Sequence, residues 1–312
     1  MFFFEGYTVR SAFMWIGLIF ILIILNELFR RSKRLTLLGF LITPVVIFGL
    51  IWSGKIGSVS SNGWFGQIKA ISAIAGILGF WLIRYTKLGD TRFLGWFPLF
   101  ILTVNIIEAI AAELQVYLQY NGSMYYDSAT DLIYYGGIWN ILNIIAGILL
   151  LFSISGWRGI RVANTKSKDM IWPDQIPIWI LAYTAWNMSY CYNCISNRSM
   201  YAGLAILIAA LIAELFIKRG AWLQHRAYTL AMFAMFSLTV DYFKLPDGIF
   251  SIVSTQKPEA MLTLSMISII LCALIFIYKN YMAIKNKRSM TRDDIYFDTK
   301  CYKKNLSKNN LK

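Results

Sequence analysis

Charge is scarce in this sequence. Asp, Glu, Lys and Arg make up 15% of its 312 residues, against about a quarter in an ordinary soluble domain. Together with 58% hydrophobic residues and a mean hydropathy of +0.56, that excludes a typical soluble globule. Strict apolar–polar alternation is absent, so an outer-membrane barrel is not expected either. The four cysteines, Cys191, Cys194, Cys272 and Cys301, are too few for a disulfide framework. There is one histidine, His225, and no recognised nucleophile or metal-ligand set beside it. The last apolar run has no lysine at mid-depth, only Lys279 at its end, which disfavours a retinal Schiff base. No basic segment precedes the first apolar run, which is therefore expected to be retained as a helix. No internal repeat is visible.

What the chain does have is long apolar runs. Nine of them approach or reach the ~20 residues that cross a hydrocarbon layer, at 12–29, 36–54, 65–82, 93–118, 132–152, 176–195, 200–217, 221–238 and 260–278. The expected fold class is all-α: a polytopic helical bundle of about nine transmembrane helices, forming one domain over residues 1–284. Residues 285–312 are polar, basic and rich in Asn, and are expected to form a disordered tail.

The net charge of +14 follows the pattern of membrane-protein loops rather than that of a nucleic-acid surface. Alternate loops and the tail hold 24 of the Lys and Arg residues, and the other side holds 6. By the positive-inside rule the N-terminus is outside and the C-terminus inside. A bacterial plasma membrane is the expected location. Most tryptophans, such as Trp52, Trp64, Trp96 and Trp157, fall near span ends, whereas Trp139 and Trp186 lie well inside. The basic tail is expected to meet anionic lipid. Local ion pairs are expected for Glu27 with Arg30 and Arg31, Glu214 with Lys218, and Asp241 with Lys244. Gly76 and Gly79 are expected to admit close helix packing.

Polar residues at depth are the informative feature. Asn105 and Glu108 are three apart near the middle of the fourth run and share a face. Glu113, five residues on, is about 140° round the helix, in the outer half. Asn140 and Asn143 are central in the fifth run and Asn187 in the sixth. A central acid is costly in a bilayer, so it faces inward, finds partners or stays protonated. Asn105, Glu108, Asn140, Asn143 and Asn187 thus form either interhelical glue or a site for a small solute, ion or proton. Glu108 is the protonatable group of that site.

A second cluster falls at the expected cytoplasmic mouth: Trp172 and Asp174 before the sixth run, and Gln224, His225 and Arg226 at the start of the eighth. Asp174 is expected to pair with Arg226 or His225. This cluster supports the second reading, a membrane-embedded enzyme; the third is a non-catalytic receptor or assembly subunit. Cys191 and Cys194 match C-x-x-C in form, but no strand precedes them as in a thioredoxin-like site, and small buried residues are the commoner case.

The residues Trp172-Pro173-Asp174, Trp186-Asn187, Tyr192-Asn193-Cys194, Gly220-Ala221-Trp222 and His225-Arg226 carry a resemblance. With them the chain resembles an uncharacterised family of multi-spanning membrane proteins, a domain of unknown function. That resemblance implies no reaction, ligand or cofactor.

Overall fold

The computed structural model describes residues 2–91, 94–245 and 249–312. Nine long helical segments run back and forth through it. They are α1 (Val9–Arg31), α2 (Lys33–Trp52), α3 (Trp64–Tyr85), α4 (Trp96–Tyr120), α5 (Ile138–Phe152), α6 (Pro177–Cys194), α7 (Ser196–Ile217), α8 (Trp222–Thr239) and α9 (Pro258–Lys285). Each overlaps one of the apolar runs; Phe93, at the start of the fourth, lies outside the described residues. Among those residues, α1 to α4, α7 and α9 are long and apolar enough to cross a membrane, and α5 is a shorter apolar helix.

Local chemistry sets the helix ends. Thr8 and Ser11 form a reciprocal capping box at the start of α1. Pro177 and Pro258 open α6 and α9, where a missing N–H costs nothing. Inside α2, Pro44 cannot donate to the preceding turn. There the helix widens to a π form over Leu38–Ile42, and the Leu38 carbonyl accepts both the Thr43 N–H and, at 2.9 Å, Thr43 Oγ1.

The bundle has two distinct ends. One carries a β-hairpin, β2 (Met124–Asp127) paired with β3 (Leu132–Tyr135), and the strand pair β1 (Phe4–Glu5) with β6 (Val253–Ser254). The other carries the pair β4 (Arg161–Val162) and β5 (Met170–Ile171), together with the C-terminal tail. We refer to these as the hairpin end and the tail end.

Helices α6 and α8 form the centre. Residues 222–235 of α8 are all buried. α9 packs along α5 and α6, and α8 packs along α3. The peripheral helices turn large apolar side chains outward, including Phe13, Phe20 and Ile24 of α1, Ile107 and Leu118 of α4, and Ile270 and Ile277 of α9. This is the inverse of a soluble surface: the polar sequence is inside and the apolar sequence outside. α6 and α8, whose polar residues face this interior, are not among the six helices long and apolar enough to cross a membrane. Gly79 does allow close packing, since a Cβ there would stand 1.9 Å from the Phe97 ring of α4.

The tail departs from the sequence expectation. Residues 286–312 fold back against the tail end and include a short helix, α10 (Lys300–Ser307). Ile295 and Tyr296 are fully buried, as are Asn305 and Asn309. The physical reason is that a few apolar and amide anchors are spaced among exposed lysines. Asn305 Nδ2 donates to the Pro173 carbonyl at 3.1 Å, and Asn309 Nδ2 to that of Arg219 at 2.8 Å. Composition averages over such anchors and hides them.

Candidate functional site

The asparagines converge on Glu113 rather than Glu108. Asn140 Nδ2 donates to Glu113 at 2.5 Å, Asn143 Nδ2 at 2.7 Å and Asn193 Nδ2 at 3.1 Å. Ser268 of α9 donates to Asn143 Oδ1 at 2.7 Å. α4, α5, α6 and α9 are thereby tied at one depth. Glu113 is 1% exposed, and both its oxygens are engaged. The shift from Glu108 to Glu113 has a definite cause. The fifth apolar run begins as strand β3, and α5 starts only at Ile138. Asn140 therefore sits in the first turn of its helix, several residues nearer the hairpin end than an unbroken span from 132 would put it, at ~1.5 Å per residue.

Glu108 has a different partner. Lys69 Nζ of α3 donates to it at 2.9 Å and to the Asn105 carbonyl at 2.9 Å. Asn105 Oδ1 accepts from Tyr183 of α6 at 3.0 Å. Lys69, one of the six basic residues on the less charged side and within the third apolar run, is a buried residue inside α3.

Asn187 meets neither acid. Its Oδ1 accepts from Arg226 Nη2 of α8 at 3.2 Å, while its own Nδ2 has no partner. Arg226 is 4% exposed, and its Nε and Nη1 also have no partner. Asn187 and Arg226 are among the residues lining a cavity of about 290 Å³ between α3, α4, α6, α7 and α8. Its walls include Phe65, Tyr190 and Phe233; Cys191 and Cys194 lie along one side. Val59 and Ser60 of a short helix (Val59–Asn62), Asp127 of β2 and Thr130 of the hairpin turn line it at the hairpin end. One helical turn toward the tail end from Arg226 and Asn187, the rings of Trp222 and Tyr183 meet at 4.7 Å, and Trp222 meets Trp179 at 5.5 Å.

At the tail end the structure separates the remaining candidates. Asp174 pairs with neither His225 nor Arg226. It accepts from Ser155 Oγ at 2.5 Å and from the backbone N–H groups of Ile295 and Tyr296 at 3.2 and 3.0 Å. Burial pushes its pKa up to about 7, against the opposing pull of these hydrogen bonds. Trp172 Nε1 donates to the Ser155 carbonyl at 3.0 Å. Gly156 has a φ of +65°, and a Cβ there would come within 2.3 Å of Asp174 Cβ, so this turn is open only to glycine. His225 Nδ1 contacts Asn26 of α1, and its Nε2 contacts the Lys218 carbonyl at 3.1 Å. Both ring nitrogens are engaged structurally.

Sequence reasoning passed over Asp169. This buried carboxylate accepts from Arg30 Nη1 at 2.6 Å, Ser167 Oγ at 2.6 Å and Gln224 Nε2 at 2.9 Å. Arg84 and Lys218 each stand 3.8 Å away. Burial alone would raise its pKa, but Arg30 and Arg84 hold it below the usual value. Asp169 lies in a short polar loop with no periodicity to mark it. Of the local pairs, Glu27 does hold Arg30 and Arg31. Glu214 instead accepts from the Gly220 N–H at 2.6 Å, and Lys244 turns to Asp131 at 3.6 Å.

Fold and site together define a class: a helical bundle with membrane-capable helices outside and a polar, partly unsatisfied interior. The chain belongs to the family of unknown function DUF5692, whose model matches residues 5–308. No curated protein and no solved structure matches the chain.

Proposed function

We propose that this protein is a nine-span plasma-membrane protein that binds a small solute in the cavity above Arg226, entered from outside through the hairpin end. The observation that carries the reading is that Arg226 and Asn187 line an open volume while Nε and Nη1 of Arg226 and Nδ2 of Asn187, all buried, have no hydrogen-bond partner. Buried polar groups are almost always satisfied, so groups left open at a cavity point to a missing partner. Glu113, by contrast, has three amide donors and acts as interhelical glue.

The orientation rests on the basic residues of the tail end. Lys300, Lys303 and Lys304 of α10 and Lys308 just after it are exposed, where they meet anionic lipid headgroups of the inner leaflet. α6 and α8 have 18 residues each, which at ~1.5 Å per residue is close to the hydrocarbon thickness. The aromatic cluster of Trp179, Tyr183 and Trp222 closes the floor, so passage to the inside requires it to move.

A thermal-unfolding screen of small solutes on the purified protein tests this, with the cavity-filling variant Leu230→Trp beside the wild type. Solutes that stabilise the wild type and not the variant are the expected result. A screen in which every stabilising solute acts equally on both would contradict the cavity as the site.

A further inference from the structure

We infer that the solute is a small organic anion, a carboxylate or similar head on an apolar body, held head-down on Arg226. This inference rests on the cavity being a solute site and specifies what occupies it. The charges lining the cavity are unequal. Lys69, Arg198 and Arg226 contribute cations, and Asp127, at the hairpin end, contributes the acid. Lys69 is neutralised by Glu108 at 2.9 Å. The guanidinium of Arg226 is not neutralised in this way: its hydrogen-bond acceptor is the neutral amide of Asn187 at 3.2 Å.

Arginine cannot shed its proton to escape burial. A guanidinium that is 4% exposed, with Nε and Nη1 open, is therefore a charge awaiting an anion. Its planar set of donors matches the geometry of a carboxylate. The open Nδ2 of Asn187 adds a donor beside it. A cation-binding reading fails on the same facts, because among the described residues no free carboxylate faces this floor: Glu113 is held by three asparagines and Glu108 by Lys69.

The remainder of the cavity sets the rest of the ligand. Phe65, Tyr190, Leu230 and Phe233 make an apolar, largely aromatic wall above the floor. The volume of about 290 Å³ exceeds the ~150 Å³ of an engineered cavity that takes up benzene. A single ring or short branched chain with its acid group fits it. A bare inorganic anion would leave the apolar wall unused.

The test uses the full-length protein in lipid nanodiscs with benzoate, isovalerate, their neutral amides, benzylamine and chloride as probes. The expected result is stabilisation by the two carboxylates and not by the amides, benzylamine or chloride. Arg226→Gln should weaken benzoate binding by about tenfold or more, as expected for loss of a charge-assisted contact, while Arg226→Lys keeps part of it. The lysine variant retains the buried cation and so separates loss of the site from loss of the fold. Equal stabilisation by the amides, or by chloride alone, overturns the inference and leaves the solute cavity standing. Benzoate binding unchanged in Arg226→Gln also overturns it. A panel in which no probe of any charge binds overturns both the inference and the cavity reading.

Discussion

Asn140 donates to Glu113 at 2.5 Å across the contact between α4 and α5, in the first turn of α5. With Asn143 and Asn193 on the same carboxyl group, this makes Glu113 a structural knot rather than an open site.

Glu113→Ala should therefore cost stability. It removes the acceptor that three buried amides share, a loss of about 2 to 4 kcal/mol at roughly 1 kcal/mol per hydrogen bond. Glu113→Gln, which keeps the shape and an acceptor oxygen, should cost less. Denaturation of the reconstituted variants measures both. An alanine variant as stable as the wild type would contradict the knot.

Apolar runs placed the helices well, because hydropathy over ~20 residues is a strong signal. The depth of Asn140 was misjudged, because Leu132, Ile133, Tyr134 and Tyr135 are as apolar as a span and equally suited to a strand. They pair with Met124–Asp127, and the Gly136–Gly137 step separates them from α5. Asn187 and Arg226 were both singled out, but in different clusters. The geometry that joins α6 to α8 comes from packing, which periodicity does not record. Asp169 and the tail anchors Ile295 and Tyr296 lie in segments whose composition is loop-like, so their burial has no local signature.

The tail should respond to pH through Asp174. Its pKa in the docked state is raised from 3.8 to about 7. A raised carboxyl pKa means docking is favoured when the group is protonated. That contribution is complete below the ordinary value and is lost as pH rises through about 7. A spin label at Ser307→Cys should become more mobile as pH rises across this window. Asp174→Ala, which removes the acceptor for the Ile295 and Tyr296 N–H groups, should free the label at every pH. Mobility that falls with rising pH would contradict the assignment.

Asp169 should act in the opposite direction. Its pKa is lowered by Arg30 and Arg84 against the effect of burial. Its contribution is therefore present above the ordinary carboxylate range and is lost as pH falls through the lowered value. Asp169→Asn leaves the buried Arg84 facing a neutral amide and Arg30 with Glu27 as its one carboxylate partner among the described residues, and should destabilise by about 3 to 5 kcal/mol. Equilibrium unfolding of the variant checks this; a loss within about 0.5 kcal/mol, the range of an ordinary surface change, would show that the network is dispensable.

The central claim is a cavity reached from the hairpin end with a positively charged floor, and Cys191 in its wall reports on it directly. In a protein that keeps Cys191 while carrying Cys194→Ser, Cys272→Ser and Cys301→Ser, the measurement is the rate of modification by membrane-impermeant thiosulfonates applied from the hairpin side. One reagent carries a sulfonate head and the other a trimethylammonium head. The expected result is reaction from that side, with the sulfonate favoured relative to the ratio of the two rates at an exposed cysteine, and with the preference abolished by Arg226→Gln. A Cys191 that reacts from neither side, or that favours the cationic reagent, would contradict the account.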